Sequence, residues 1–184
     1  MRLSPFMKSL SLPLLLMFFL PLTLPPLATG ARQDESQVKA VFVLNFAKLT
    51  QWPADAHRDN EPFTIAILGR IPSAAFMATL KTQQIHGSKT LVRHIESAAE
   101  ARGSHLVYIS PSERQRVSAI LRELRHQNVL TVSDMEGFCE TGGMIGLVPI
   151  QNRLGFEINL GAVRQARLTV SSQLLKLART IHGN

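Results

Sequence analysis

Few residues of this chain stand at spacings that could do chemistry. The six histidines are His57, His86, His94, His105, His126 and His182. None forms a His-x-x-x-His pair or a His-Glu-x-x-His helix, the arrangements that put two imidazoles on one metal. Asp55, His57 and Asp59 alternate in a polar loop and offer oxygen and nitrogen donors, but no further ligand stands at a known metal spacing. An ordinary solvated loop is the stronger reading. Ser110, His105 and Asp134 are the residue types of a hydrolytic triad, yet no Gly-x-Ser-x-Gly elbow presents the serine. Gly69 follows an apolar run where a dinucleotide fold carries its phosphate loop. Leu68-Gly69-Arg70-Ile71-Pro72 lacks the glycine pattern that lets backbone approach a pyrophosphate, so Gly69 reads as a tight turn. These residues predict no catalytic group, no metal and no cofactor.

Cys139 is the only cysteine. One thiol makes no internal bridge, so it is either a small buried apolar group or an exposed thiol able to join two chains. Burial is the stronger reading. One further place deserves naming because parallel sheets bind ligands there, the crevice at the strands' carboxyl ends. Arg70, Ser110, Ser133 and Asp134 fall at those ends, and turn or capping roles account equally for the last three.

The elements that would position these residues follow from periodicity. Ala31 to Gln37 predicts a short flexible lead. Val38, Val41, Phe42, Asn45 and Leu49 at i, i+3, i+4, i+7 and i+11 predict a helix, widened by Leu44 and Phe46 and ended at Trp52-Pro53. Phe63–Leu68 reads as a buried strand. A helix over 73–82 follows, with Ser73 as cap, then a strand over 91–94 and a brief helix at Ser97. Leu106–Ile109 is a strand. Ser110-Pro111-Ser112-Glu113 is a strong helix start, and that helix is predicted to reach about His126. Val129–Val132 is another strand. Strands over 144–150 and 154–160 flank a Gln151-Asn152 turn and predict an antiparallel hairpin. In its second arm Leu154, Phe156, Ile158 and Leu160 face the core, while Glu157 and Asn159 face away near the sheet edge. A short helix after Gly161 and a last helix from Ser171 close the chain, with Leu174, Leu175, Leu177, Ala178 and Ile181 inward. The expected fold is α/β, a mostly parallel sheet with crossover helices on both faces plus a C-terminal antiparallel hairpin.

Residues 1–31 begin with Arg2 and Lys8, continue through an apolar run broken by Pro13, Pro21, Pro25 and Pro26, and end in Ala28-Thr29-Gly30-Ala31. That is the pattern of a secretory signal peptide cleaved near Gly30 or Ala31, and proline argues against a retained anchor. Residues 32–184 then form a single domain working in the periplasm. Apart from Arg2 and Lys8, 18 Lys and Arg face 13 Asp and Glu, a mildly basic balance. Arg114, Arg116, Arg122 and Arg125 concentrate it opposite a stripe of Val117, Ile120, Leu121 and Leu124. A solvated helix face is the stronger reading, attraction to anionic lipid or an acidic partner the sharper one. Nucleic acid is not expected, since aromatic interleaving is lacking.

Several phrases in order carry a resemblance. They are Val38-Lys39-Ala40 to Leu44-Asn45-Phe46-Ala47-Lys48 and Trp52-Pro53; Phe63-Thr64-Ile65 to Leu68-Gly69; Leu130-Thr131-Val132-Ser133-Asp134 with Gly137-Phe138; Gly142-Gly143-Met144-Ile145; Phe156-Glu157-Ile158-Asn159-Leu160; and Ser171 to Ala178. Together they resemble the YfiR family of bacterial periplasmic regulators. The resemblance implies a non-enzymatic α/β protein, often dimeric, that binds the periplasmic region of an inner-membrane diguanylate cyclase and lowers cyclic-di-GMP and biofilm formation. It also implies that an outer-membrane lipoprotein can sequester the inhibitor. The chain departs in one respect: family members can carry disulfides, and Cys139 alone permits no intramolecular one. Glu157 and Asn159 are the expected partner-facing residues. The alternative expectation is a periplasmic small-solute sensor using the crevice.

Overall fold

A computed structural model describes residues 29–54, 56, 61–151 and 153–183, with side chains from Glu35 onward. Residues 1–28 of the expected signal peptide, and Asp55, His57 and Asp59, lie outside the described residues.

The first helix, α1 (Thr29–Lys48), starts earlier than the periodicity predicts. Ala31 to Gln37 is helical rather than a flexible lead. The stretch has no proline or internal glycine beyond Gly30, and Glu35 pairs with Lys39 one turn on at 2.7 Å. The buried face also differs from the one expected. Val38 and Val41 are 45% and 47% exposed, and Asn45 is exposed. The inward stripe is Ala40, Val43, Leu44 and Ala47, joined by Phe46. That stripe has the same i, i+3, i+4, i+7 spacing.

Eight strands form one sheet in the order β10-β8-β7-β6-β5-β2-β4-β3. They are β2 (Phe63–Leu68), β3 (Gln84–Ile85), β4 (Ser88–Ile95), β5 (Leu106–Ile109), β6 (Leu130–Ser133), β7 (Ile145–Ile150), β8 (Arg153–Asn159) and β10 (Thr180–His182). β4, β2, β5, β6 and β7 run parallel, as alternating strands and helices predict. β7 and β8 form the expected antiparallel hairpin, with Leu147 opposite Phe156. A separate antiparallel pair, β1 (Thr50–Gln51) with β9 (Thr169–Val170), ties the end of α1 to the C-terminal region.

Helices cover both faces. On one, α1, α2 (Ala74–Lys81), α4 (Leu160–Gln165) and α5 (Ser172–Leu177) pack over Ile65, Leu106, Val132, Leu147 and Phe156. On the other, α3 (Val117–Leu124) places Val117, Ile120, Leu121 and Leu124 against Ala66, Val107 and Ile109. The α3 stripe is the one read from sequence. The helix is shorter than expected: Pro111–Glu113 is a separate 3-10 turn, because Glu113 is drawn inward beside Gly69 and held by Arg116. Ser73 and Ser171 cap α2 and α5 by accepting from the amides of Phe76 and Leu174.

The C-terminus departs most from expectation. α5 stops at Leu177, which is 64% exposed rather than inward. The amide of Arg179 then donates to the Phe156 carbonyl at 2.8 Å, and Thr180, Ile181 and His182 pair in parallel with Glu157, Ile158 and Asn159. β8 offered a row of unpaired backbone groups, and the chain end covers them. β8 is therefore internal to the sheet.

Candidate functional site

The residues at the carboxyl ends of the parallel strands are brought close but committed to one another. Ser133 Oγ donates to the Ile109 carbonyl at 2.6 Å and accepts from the Met135 amide at 3.1 Å. Ser110 Oγ accepts from the Ser112 amide at 3.3 Å, and Ser112 Oγ accepts from the Arg70 amide at 2.9 Å. These bonds close the turns after β2, β5 and β6. Ser110 and Ser133 are buried, whereas Arg70 is exposed and borders a shallow recess with His94, Glu96 and Arg116.

Asp134 turns the other way, toward α1. It accepts from the buried phenol of Tyr108 at 2.5 Å and from Lys39 Nζ at 2.7 Å. Sequence reasoning missed this network, because its members lie 26 and 95 residues apart. Burial pulls the Lys39 ammonium down, but the hydrogen bonds and charges of Asp134 and Glu35 outweigh it, and the net displacement is upward. Burial first, and the Asp134 charge second, raise the Tyr108 phenol well above its ordinary range.

Glu157, Asn159 and Cys139 form a second corner. Glu157 and Asn159 do point away from Phe156 and Ile158, but with β10 beside them they are only partly exposed. Asn159 Oδ1 accepts from the Ala162 amide at 3.0 Å, capping α4, while its Nδ2 donates to the Cys139 carbonyl at 2.9 Å. Glu157 lies 3.1 Å from His182 Nε2 and 3.9 Å from Arg179 Nη1. The two residues expected to face a partner thus hold the chain end and the Cys139 loop. Among the described residues Glu140, Glu157 and His182 place one ligand atom each within 4.8 Å of one another, a donor set that suits a divalent ion. The His182 ring and the Arg179 guanidinium already engage the Glu157 carboxylate.

Cys139 is a free, buried thiol whose S–H faces the Met144 carbonyl at 3.8 Å. Burial, chiefly, and the charges of Glu157 and Glu140 push its pKa from 9.0 up to about 12, against the opposing effect of the Gly146 amide. A folded-state value above the unfolded one gives stability that is complete below pH 9 and lost as pH rises toward 12. Lys39 and Tyr108 act in the same direction from about pH 10 upward. The melting temperature should hold level from pH 7 to 9 and then fall. Cys139 alone should account for about 2 kcal/mol by pH 10.5. Melting curves of Cys139→Ala across this range check it: the variant should show a shallower alkaline slope, and an unchanged slope would refute the assignment.

The remaining feature is a groove of about 210 Å³ between α3 and α4. Arg122, Arg125 and His126 line one wall, Gln165, Thr141 and Asn159 the other, and no carboxylate takes part. The described residues thus define an open α/β sheet whose sequence-marked polar groups are engaged in holding turns and chain ends, with a cationic groove between α3 and α4.

The chain belongs to the YfiR/HmsC-like family (DUF4154), whose model matches residues 36–179. No curated protein matches it. Among solved structures it is similar to a conserved domain protein from Vibrio cholerae, with a TM-score of 0.55 and 10% identity over 79% of this chain and 60% of that one. It is also similar to an ABC domain from Streptococcus pneumoniae solved with L-Trp, with a TM-score of 0.54 and 12% identity over 77% of this chain and 60% of that one. The chain thus spans less than two thirds of either, and the likeness is one of fold. No described helix is long and apolar enough to cross a membrane.

Proposed function

We propose that this protein is a periplasmic regulator of cyclic-di-GMP signalling that binds the periplasmic region of an inner-membrane diguanylate cyclase and holds it inactive. The observation that carries the reading is the family match over residues 36–179, which includes the helices on both sheet faces and every strand but the last, β10. Export of the chain, cleavage near Gly30 or Ala31, a homodimer and sequestration by an outer-membrane lipoprotein belong to the same reading. Restraint by binding needs a preference for the partner's inactive state, and tenfold suppression takes about 1.4 kcal/mol of it. A few well-placed contacts supply that, so no catalytic group is required.

Tagged protein lacking residues 1–31, incubated with detergent-solubilised inner membranes and cross-linked, is expected to capture a protein with a cyclase domain. Recovery of the tagged protein without any such partner, under conditions where the cyclase is present, would contradict the proposal. A second reading, a small-solute sensor, is favoured by a recess of about 180 Å³ lined by Trp52, Phe63, His86 and His105. It lies at the amino ends of β2 and β5, opposite to the crevice expected from the sequence.

A further inference from the structure

Four arginines concentrate around α3, two before it, one in its last turn and one at its C-cap, and the structure separates them into two pairs. Arg116 is bound twice to the Glu113 carboxylate, and Arg114 donates to the Glu136 carbonyl at 3.3 Å. Those two are accounted for by the turn they hold. The side chains of Arg122, Arg125 and His126 make no hydrogen bond or ion pair among the described residues. All three line the groove against α4. Its floor is Leu121, Leu124 and Met144, all buried, and its far wall is uncharged. Placement at the C-terminal end of α3 suits cations, since the helix dipole is negative there. The dipole does not explain why the opposing wall carries no acid to complete the pairing.

We propose that this groove receives an acidic segment of the partner protein, one or two aspartate or glutamate side chains entering between α3 and α4 to pair with Arg122 and Arg125. This rests on the proposed function and names the surface it would use. The argument is charge complementarity. Arg122 in the last turn of α3 and Arg125 at its C-cap line the same groove, and each guanidinium presents a planar fork that matches a carboxylate. A recess of about 210 Å³ is large enough for a side chain and too small for a folded element. Carboxylates buried against Arg over an apolar floor gain strength from exclusion of water, and the positive field raises the encounter rate.

The test uses the chain without residues 1–31 and fluorescein-labelled octaglutamate, with octaglutamine as its neutral counterpart, followed by anisotropy at low salt. Octaglutamate should bind and octaglutamine should not. Arg122→Ala/Arg125→Ala should weaken binding at least tenfold with the melting temperature unchanged, while Arg114→Ala, whose charge lies outside the groove, should leave it within twofold. Equal losses from Arg114→Ala and from the groove pair would mean a diffuse field and overturn the proposal. So would stronger binding of the same pair-dependent surface to phosphatidylglycerol vesicles than to octaglutamate, which would assign the groove to lipid. In cells lacking the native gene, exported Arg122→Glu/Arg125→Glu should be stable yet fail to lower cyclic-di-GMP. If it lowers cyclic-di-GMP as well as the wild-type protein does, the groove is not the contact although the proposed function stands. If the wild-type protein itself has no effect, the proposed function fails, and the peptide measurement still decides the groove.

Discussion

Asp134→Ala is expected to lose about 3 kcal/mol of folding stability, the largest single loss among the polar residues of this domain. The carboxylate is only 15% exposed and joins two otherwise separate elements, β5 through Tyr108 and α1 through Lys39. Its removal strands a phenol hydroxyl on a residue with no exposed surface. It also leaves the Lys39 ammonium, 17% exposed, with the solvated Glu35 carboxylate as its ion-pair partner. The cost of such orphaned groups exceeds the value of the bonds themselves. For a domain of this size the melting temperature should drop by roughly 6–12 °C. Asp134→Asn keeps an acceptor for Tyr108 and should lose about half as much. Tyr108→Phe combined with Asp134→Ala should cost less than the two separate losses added, because the phenol no longer needs a partner. Additive losses in that cycle would mean the network does not exist as a unit.

Gly143→Ala is expected to be nearly as damaging, at about 3 kcal/mol. A Cβ there would stand 2.2–2.5 Å from three ring carbons of Phe138. Phe138 is 2% exposed and packed in the core beneath α3, so the ring has nowhere to go. The Gly143 amide also donates to the Phe138 carbonyl at 2.9 Å, which holds the backbone in place. Gly155 makes the control. Its added Cβ would meet the Ile150 Cδ1 methyl at 2.2 Å, but that is the end of a half-buried side chain that can rotate away. Gly155→Ala should cost less than about 1 kcal/mol. Denaturant curves of the two variants, with Phe138→Leu as a rescue of Gly143→Ala, separate the cases. Equal losses at both glycines would contradict the packing argument.

How far the sequence reaches is visible in particular elements. The β7–β8 hairpin is legible because two alternating apolar runs flank Gln151-Asn152 and one face must be buried. The inward stripe of α3 is legible for the same reason, at a period of 3.6. α1 is apolar on more than one side, so periodicity alone picked Val38 and Val41, and tertiary packing chose the stripe with the alanines. β10 has no periodicity to read: three residues extend only because β8 has open backbone groups beside them. That single addition leaves Glu157 and Asn159, the expected partner-facing residues, half-buried beside the chain end. The Tyr108–Asp134–Lys39 network joins three distant elements through one carboxylate, a pairing no local pattern encodes. The arginine concentration was legible. Which arginines stay unpaired depends on Glu113 and Glu136, fixed only once the turn before α3 forms.

The central claim is that the protein's output is another protein's activity. The most direct measurement is intracellular cyclic-di-GMP in a strain lacking the gene, complemented in turn by the full chain and by a version without residues 1–31. The account predicts that deletion raises cyclic-di-GMP and surface attachment, that the full chain restores the low level, and that the version retained in the cytoplasm does not. Unchanged cyclic-di-GMP in the deletion strain, with the protein made in the parent and its cyclase present, would contradict it.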